Sequence, residues 1–283
     1  LAACLTADEQ NISVVLVNDV DLPISSLGEQ SGGSGEYKLG SVSTEKINID
    51  LNGKKLNITT GYWSAIGAKN DKATITIKNG TMTSTGNSAG TWNAWDVRFC
   101  NCNYVIENVI FEKAVALDNA EKSATLKGVT IKDNHNTDTY ALWITAEGQN
   151  VTLDNCVINM LECTDGRGIK IDEQYVDTPK KVILNVAKTT FVTESKAAIL
   201  VKSKAGAEIY ASELDITGVA ADSQYAVWVD EDAAEYYNLV KVTGADVRLE
   251  GSEAPSTGLT LKDNLKTENA IVYIKAKEDG KPY

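Results

Sequence analysis

One unit recurs along this chain and restricts its folds more than any other feature. An aliphatic residue, any residue, a small residue or Asn, two further residues and then an apolar one appear as Leu51/Gly53/Leu56, Ile77/Asn79/Met82, Ile106/Asn108/Phe111 and Leu126/Gly128/Ile131. The series continues as Leu153/Asn155/Ile158, Val186/Lys188/Phe191, Ile209/Ala211/Leu214 and Val242/Gly244/Val247. The mean spacing is about 27 residues, with intervals of about 20 to 33, so the repeat tolerates insertions in loops.

A second unit (small residue, apolar, any, apolar) lies between copies of the first. It reads "AIGA" at 65–68, "AWDV" at 94–97, "ALWI" at 141–144 and "GIKI" at 168–171, then "AILV" at 198–201, "AVWV" at 226–229 and "AIVY" at 270–273. Near 114–119 both "AVAL" and "ALDN" fit it. Each repeat therefore holds short period-2 strands separated by turns, with no helical pattern of useful length. Strands too short to bury their own face are stable only when stacked on neighbouring repeats.

At this point the chain resembles the right-handed parallel β-helix superfamily that includes pectate lyases and many bacterial surface proteins. "INIDLNGKKL", "ATITIKNGTM", "VTLDNCVI" and "VWVDED" carry the resemblance. It implies an all-β, single-stranded right-handed parallel β-helix solenoid of about eight or more coils. The expected organisation is one domain over 1–283, with a capping helix at 1–11, coils over 12–275 and a tail at 276–283. Fold does not fix function.

The N-terminal "LAACLTADEQ" reads as a short amphipathic helix with Leu1, Cys4 and Leu5 on one face. "LAAC" also has the look of a lipobox ending in an acylatable Cys4, without the basic and apolar segments a lipoprotein signal needs upstream. The five cysteines (Cys4, Cys100, Cys102, Cys156 and Cys163) are spaced for neither a disulfide framework nor a metal knuckle and read as small buried apolar residues. Asn79, Asn108 and Asn155 read as structural turn residues.

Alternation in the second unit turns Ile66, Trp95, Leu142, Ile169, Ile199, Val227 and Ile271 inward, together with Val97, Ile144, Ile171, Val201 and Val229. The column between them (Gly67, Asp96, Trp143, Lys170, Leu200, Trp228, Val272) then points outward. The next outward column is Thr145, Asp172, Lys202 and Asp230. Exposed aromatic clusters mark contact surfaces, and apolar sugar faces stack on Trp while their hydroxyls bond charged groups. The candidate ligand-binding residues are accordingly Trp143, Lys170, Leu200, Trp228, Asp172, Lys202 and Asp230.

Catalytic signatures implied by the resemblance are incomplete. "VWVDED" places Glu231 where pectate lyases carry His, and three separated arginines (Arg98, Arg167, Arg248) cannot form their Arg-x-Pro-x-x-Arg segment. The "NTD" at 136–138 lacks the Asp-Asp and Gly-His-Gly partners of polygalacturonases. His135 is the sole histidine and has no metal-ligand or triad partners in sequence. The Asp/Asn-rich stretch around it offers only a weak calcium site, with no EF-hand spacing. Two weaker catalytic candidates are an Asp96/Asp118 pair, if "ALDN" is the true phase, and Arg167 or Lys170 beside Asp165 and Asp172.

The formal net charge of −12, with no concentration of basic residues, argues against nucleic acid and anionic membranes as partners. No apolar run is long enough for a membrane helix. The expectation is a non-catalytic, secreted or cell-surface, adhesin-like protein that binds a glycan or surface protein without cofactors. The alternative is a divergent polysaccharide lyase or glycoside hydrolase.

Overall fold

The computed structural model describes residues 1–27, 36–59, 65–85, 97–132, 140–159, 167–173, 176–193, 197–203, 205–213, 215–218, 225–229, 240–243, 247–250, 265–268 and 272–275. Over these the chain is all-β, with 26 strands, one α-helix (Ala2–Leu5) and one 3-10 turn (Ile24–Leu27). The strands pair in parallel throughout. They form a sixteen-strand and a ten-strand sheet, which we call the first and second sheets.

The chain passes through the sheets in a fixed cycle. Ser123–Lys127 and Thr130–Lys132 lie in the first sheet and Tyr140–Thr145 in the second. Asn150–Asp154, Val157–Asn159 and Arg167–Asp172 then repeat the cycle one layer on. Equivalent residues stack in register, as in Leu126↔Leu153, Ile131↔Ile158 and Leu142↔Ile169. The order is compatible with a parallel β-helix. Alternate residues from both sheets form one buried core, including Ile77, Ile106, Phe111, Leu126, Ile144, Leu153, Ile171, Leu184 and Ile199.

The first sheet bends where the backbone turns left-handed. Asn79 (φ 61), Asn108 (φ 53), Gly128 (φ 61), Asn155 (φ 53), Lys188 (φ 49) and Glu213 (φ 52) occupy this corner in successive layers. Asn and Gly suit the conformation because Gly lacks a Cβ and the short Asn side chain tolerates it. The corner amides also carry stacking bonds: Gly128 N–H donates to Asp154 O (2.9 Å), Asn155 N–H to Ala187 O (3.0 Å) and Lys188 N–H to Ser212 O (3.0 Å).

Three copies of the first unit shift in register. Ile49, not Leu51, pairs with Ile77, because Leu51–Gly53 belongs to a longer corner; Leu56 pairs with Met82. In the seventh copy the corner residue is Glu213 rather than Ala211, and Phe191 pairs with Ile216. Leu214 lies outside the described residues. Val247 belongs to the second sheet, where it pairs with Val227 and Val272.

The N-terminal helix is four residues long rather than ten or eleven. Carbonyls at its end and beyond are taken by the neighbouring turn: Gly40 N–H donates to Leu5 O (2.8 Å) and Glu45 N–H to Gln10 O (2.8 Å), while the Thr44 hydroxyl donates to Glu9 O (2.7 Å). Those bonds compete with helix continuation. Leu5 enters the core, but Cys4 is exposed, contrary to its expected burial. Cys100, Cys102 and Cys156 are buried free thiols, and Cys163 lies outside the described residues. Among the described residues no helix is long and apolar enough to cross a membrane.

Candidate binding surface on the second sheet

Strand register fixes which positions share the outer face of the second sheet. One column runs Arg98↔Ala116↔Trp143↔Lys170↔Leu200↔Trp228↔Arg248↔Tyr273. Trp143, Lys170, Leu200 and Trp228 therefore align as expected, while the other three change, Gly67 because Ile66 pairs with Phe99 and so sets Gly67 level with Cys100. The third strand of this sheet in chain order is Val97–Cys100, so Arg98 replaces Asp96. Val272 pairs with Val247 in the inward column, which leaves Tyr273 at the outward register position. Ile66 pairs with Phe99, two residues along from its expected place in the Leu142 column. "AVAL" is the true phase at 114–117, since Val115 pairs with Leu142. Trp95, Asp96 and Ile271 lie outside the described residues.

The expected open platform is absent at Trp143 and Leu200, which are only 2% and 3% exposed. Trp143 packs with Tyr140 and Ala116 in a small apolar cluster separate from the main core, the two rings 6.0 Å apart and 35° from coplanar. Outward direction is set by strand alternation, whereas exposure depends on what lies over the strand. The side chain of Trp228 and all of Asp230 lie outside the described residues.

Thr145, Asp172 and Lys202 stack in the next column as expected. Asp172 is buried and pairs along its own strand with Lys170 (2.6 Å). The Lys170 ammonium also lies 5.5 Å from the centre of the Tyr140 ring, in cation–π range. This is a covered ion pair against an aromatic ring.

A second polar group sits two layers away. Arg98, 9% exposed, makes an ion pair with Asp118. Burial lowers the Arg98 pKa from its ordinary value, against the opposing pull of Cys100, Glu36 and Glu147. Asp118 therefore has an arginine as its outward neighbour, and Asp96, the other half of the candidate carboxylate pair, lies outside the described residues. The Thr145 hydroxyl lies 2.8 Å from Glu147 Oε2 and 3.5 Å from Asp118 Oδ1. The buried Gln149 amide donates to that hydroxyl (2.9 Å) and to Leu117 O (2.8 Å).

Arg98, Tyr140, Glu147 and Gln149 were not among the expected site residues. "YALWITAEGQN" did carry a signal, because its polar alternation continues past the strand end through Thr145, Glu147 and Gln149. His135 and its Asp/Asn-rich stretch, Asp165 and the side chain of Arg167 lie outside the described residues. Compared with family models, with curated proteins and with solved structures, the chain matches none.

Proposed function

We propose that this chain is a right-handed, single-stranded parallel β-helix of about eight or more coils, secreted or displayed at a bacterial cell surface. In this reading it acts without cofactors and without catalysis, as an adhesin-like module that binds a glycan or a surface protein along the outer face of its second sheet. The observation that carries the reading is the register of Arg98, Trp143, Lys170, Leu200 and Trp228 in one outward column, bordered by Asp118, Glu147 and Lys202. Buried ion pairs are costly to desolvate, burial lowers the Arg98 pKa, and perturbed charges of that kind cluster at functional sites. The half-buried Lys170, Asp118, Glu147 and Lys202 side chains, rather than the covered rings, are the groups a ligand can reach, and charged groups of this kind suit sugar hydroxyls.

A second reading rests on one distance relation. The Thr145 hydroxyl lies 2.8 Å from Glu147 Oε2 and 3.5 Å from Asp118 Oδ1, which sets a ceiling of about 6.3 Å on the distance between these two carboxyl oxygens, a range that includes the separation of about 5–5.5 Å used by retaining glycosidases. Affinity electrophoresis through gels of single polysaccharides, later stained for depolymerisation, separates the two. Retardation without clearing, lost in Lys170→Ala and Asp172→Asn, supports the binding module. Clearing that is lost in Glu147→Gln supports a hydrolase. Migration unchanged in every gel removes the glycan and leaves a protein partner to be sought.

A further inference from the structure

The first sheet carries a second, separate surface in its first half, ahead of the left-handed corner. Eight strands stack here without a register slip, from Asn11–Val15 through Lys46–Asp50, Thr74–Ser84, Asn103–Phe111, Ser123–Lys127, Asn150–Asp154 and Val182–Ala187 to Ala207–Ser212. Their outward residues form columns. The column nearest the corner contains Asp50, Lys78, Glu107, Lys127 and Asp154, so charge alternates in sign at five consecutive layers. The middle column contains Asn48, Thr76, Val105, Thr125, Thr152 and Asn185, with no charge at all.

Alternation within one chain needs no second copy, and Lys78 does reach Asp50 at 3.5 Å. The position of the alternation is the informative part. Take a two-fold axis parallel to the strands, passing between the Glu107 and Lys127 layers, and bring two copies face to face. Each layer then meets the layer equally far on the other side. Glu107 faces Lys127, Lys78 faces Asp154, and Asp50 faces the uncharged Ala187, each contact occurring twice, as an isologous interface requires. In the middle column Val105 meets Thr125, Thr76 meets Thr152 and Asn48 meets Asn185. In the third column Lys46 meets Ile183, which is 36% exposed. No like charges oppose each other anywhere on the eight layers. An axis passing through the Glu107 layer would set Glu107 on Glu107 and Lys78 on Lys127, so the ladder also disfavours the wrong register.

The area suffices for a specific contact. Eight strands about 4.8 Å apart and five residues of about 3.3 Å give roughly 550 Å² per copy, or about 1,100 Å² in total, just above what a specific interface needs. We propose that this face is a self-complementary interface through which two copies of the chain pair with opposed stacking directions about that axis. It leaves the second sheet's outer face to its own ligand, and it stands whether or not that ligand is a glycan.

The test is charge reversal followed by sedimentation equilibrium of the full chain. The wild type should dimerise. Glu107→Lys and Lys127→Glu should each weaken the dimer by about tenfold or more, since each mutation opposes like charges twice. The double variant Glu107→Lys/Lys127→Glu should recover the dimer, because the two exchanged charges again face opposite signs on the second copy. Within one chain the same double change places two positive layers beside two negative ones, so its thermal midpoint should fall while association returns. That split distinguishes pairing between copies from the ladder's internal effect. A wild type that stays monomeric at every concentration overturns the proposal. So does a dimer indifferent to the single reversals, or a double variant no better than the singles.

Discussion

Asn119 closes both backbone groups of Cys102. Its Nδ2 donates to Cys102 O at 2.6 Å and its Oδ1 accepts from Cys102 N–H at 3.0 Å, with both residues fully buried. A side-chain amide here takes the place of a paired strand at a turn between two strands of different layers. Asn119→Ala leaves a donor and an acceptor unsatisfied in the core, and the expected loss is about 3 kcal/mol. Urea titration should show a lower midpoint with an unchanged slope. A midpoint within error of the wild type would mean that water replaces the amide at no cost.

Lys188 holds its corner at a cost in backbone strain. It is exposed and adopts φ 49 at a corner that Asn or Gly fills in the four preceding layers. Lys188→Gly should raise stability by about 1 kcal/mol, and Lys188→Val should lower it by a similar amount. Gly128→Ala should also destabilise, since φ is 61 there and a Cβ would stand 2.7 Å from Asn108 Oδ1. Denaturant midpoints of the three variants check the order.

The buried thiols are protected by their surroundings. Desolvation raises the Cys156 pKa to about 11 and that of Cys102 to about 12, and pushes Cys100 higher still. Cys4 is exposed. A thiol reagent should label Cys4 in the native protein and reach Cys100, Cys102 and Cys156 only after unfolding, as peptide mapping would show. Labelling of Cys102 without denaturant would contradict the packing around it.

The same groups set the alkaline limit. Their folded pKa values lie above the ordinary thiol value of 9.0, so the unfolded chain loses these protons first. Tyr104 adds to the effect: burial raises its phenol well above its ordinary value, and its hydroxyl lies 2.7 Å from both Ile66 O and Cys100 O. Stability should be full below pH 9 and fall progressively as pH rises from there through about 11 to 12. Thermal midpoints across that range test this, and Tyr104→Phe should reduce the slope.

At acid pH the sign reverses. Asp71 is held below its ordinary 3.8 by its hydrogen bond and charge contact with Lys122, and Glu121 below 4.5 by Lys180. The Asn52 backbone amide does the same for Asp50. Their contributions are present above the ordinary carboxylate values and disappear as pH falls through the folded ones. Because these pairs are exposed, the acid loss should be small and should shrink further in high salt.

Strand alternation, the repeat and the corner were all legible in the order of residues. Period-2 burial is a local property, so Leu142, Ile144, Ile169, Ile171, Ile199 and Val201 could be read as core residues, and Asn79, Asn108 and Asn155 as turn residues. Phase and cover were not local, and only the folded chain set them. A slip of one residue exchanges inside and outside, which is how Tyr273 displaced Val272; Arg98 took the place of Asp96 because the strand begins later than its apolar pattern. Trp143 points outward and is nonetheless buried, because exposure depends on chain from elsewhere in the molecule. The charges at Asp50, Lys78, Glu107, Lys127 and Asp154 are separated by about 20 to 29 residues along the chain, and they became a column only when backbone hydrogen bonds fixed each layer on the next.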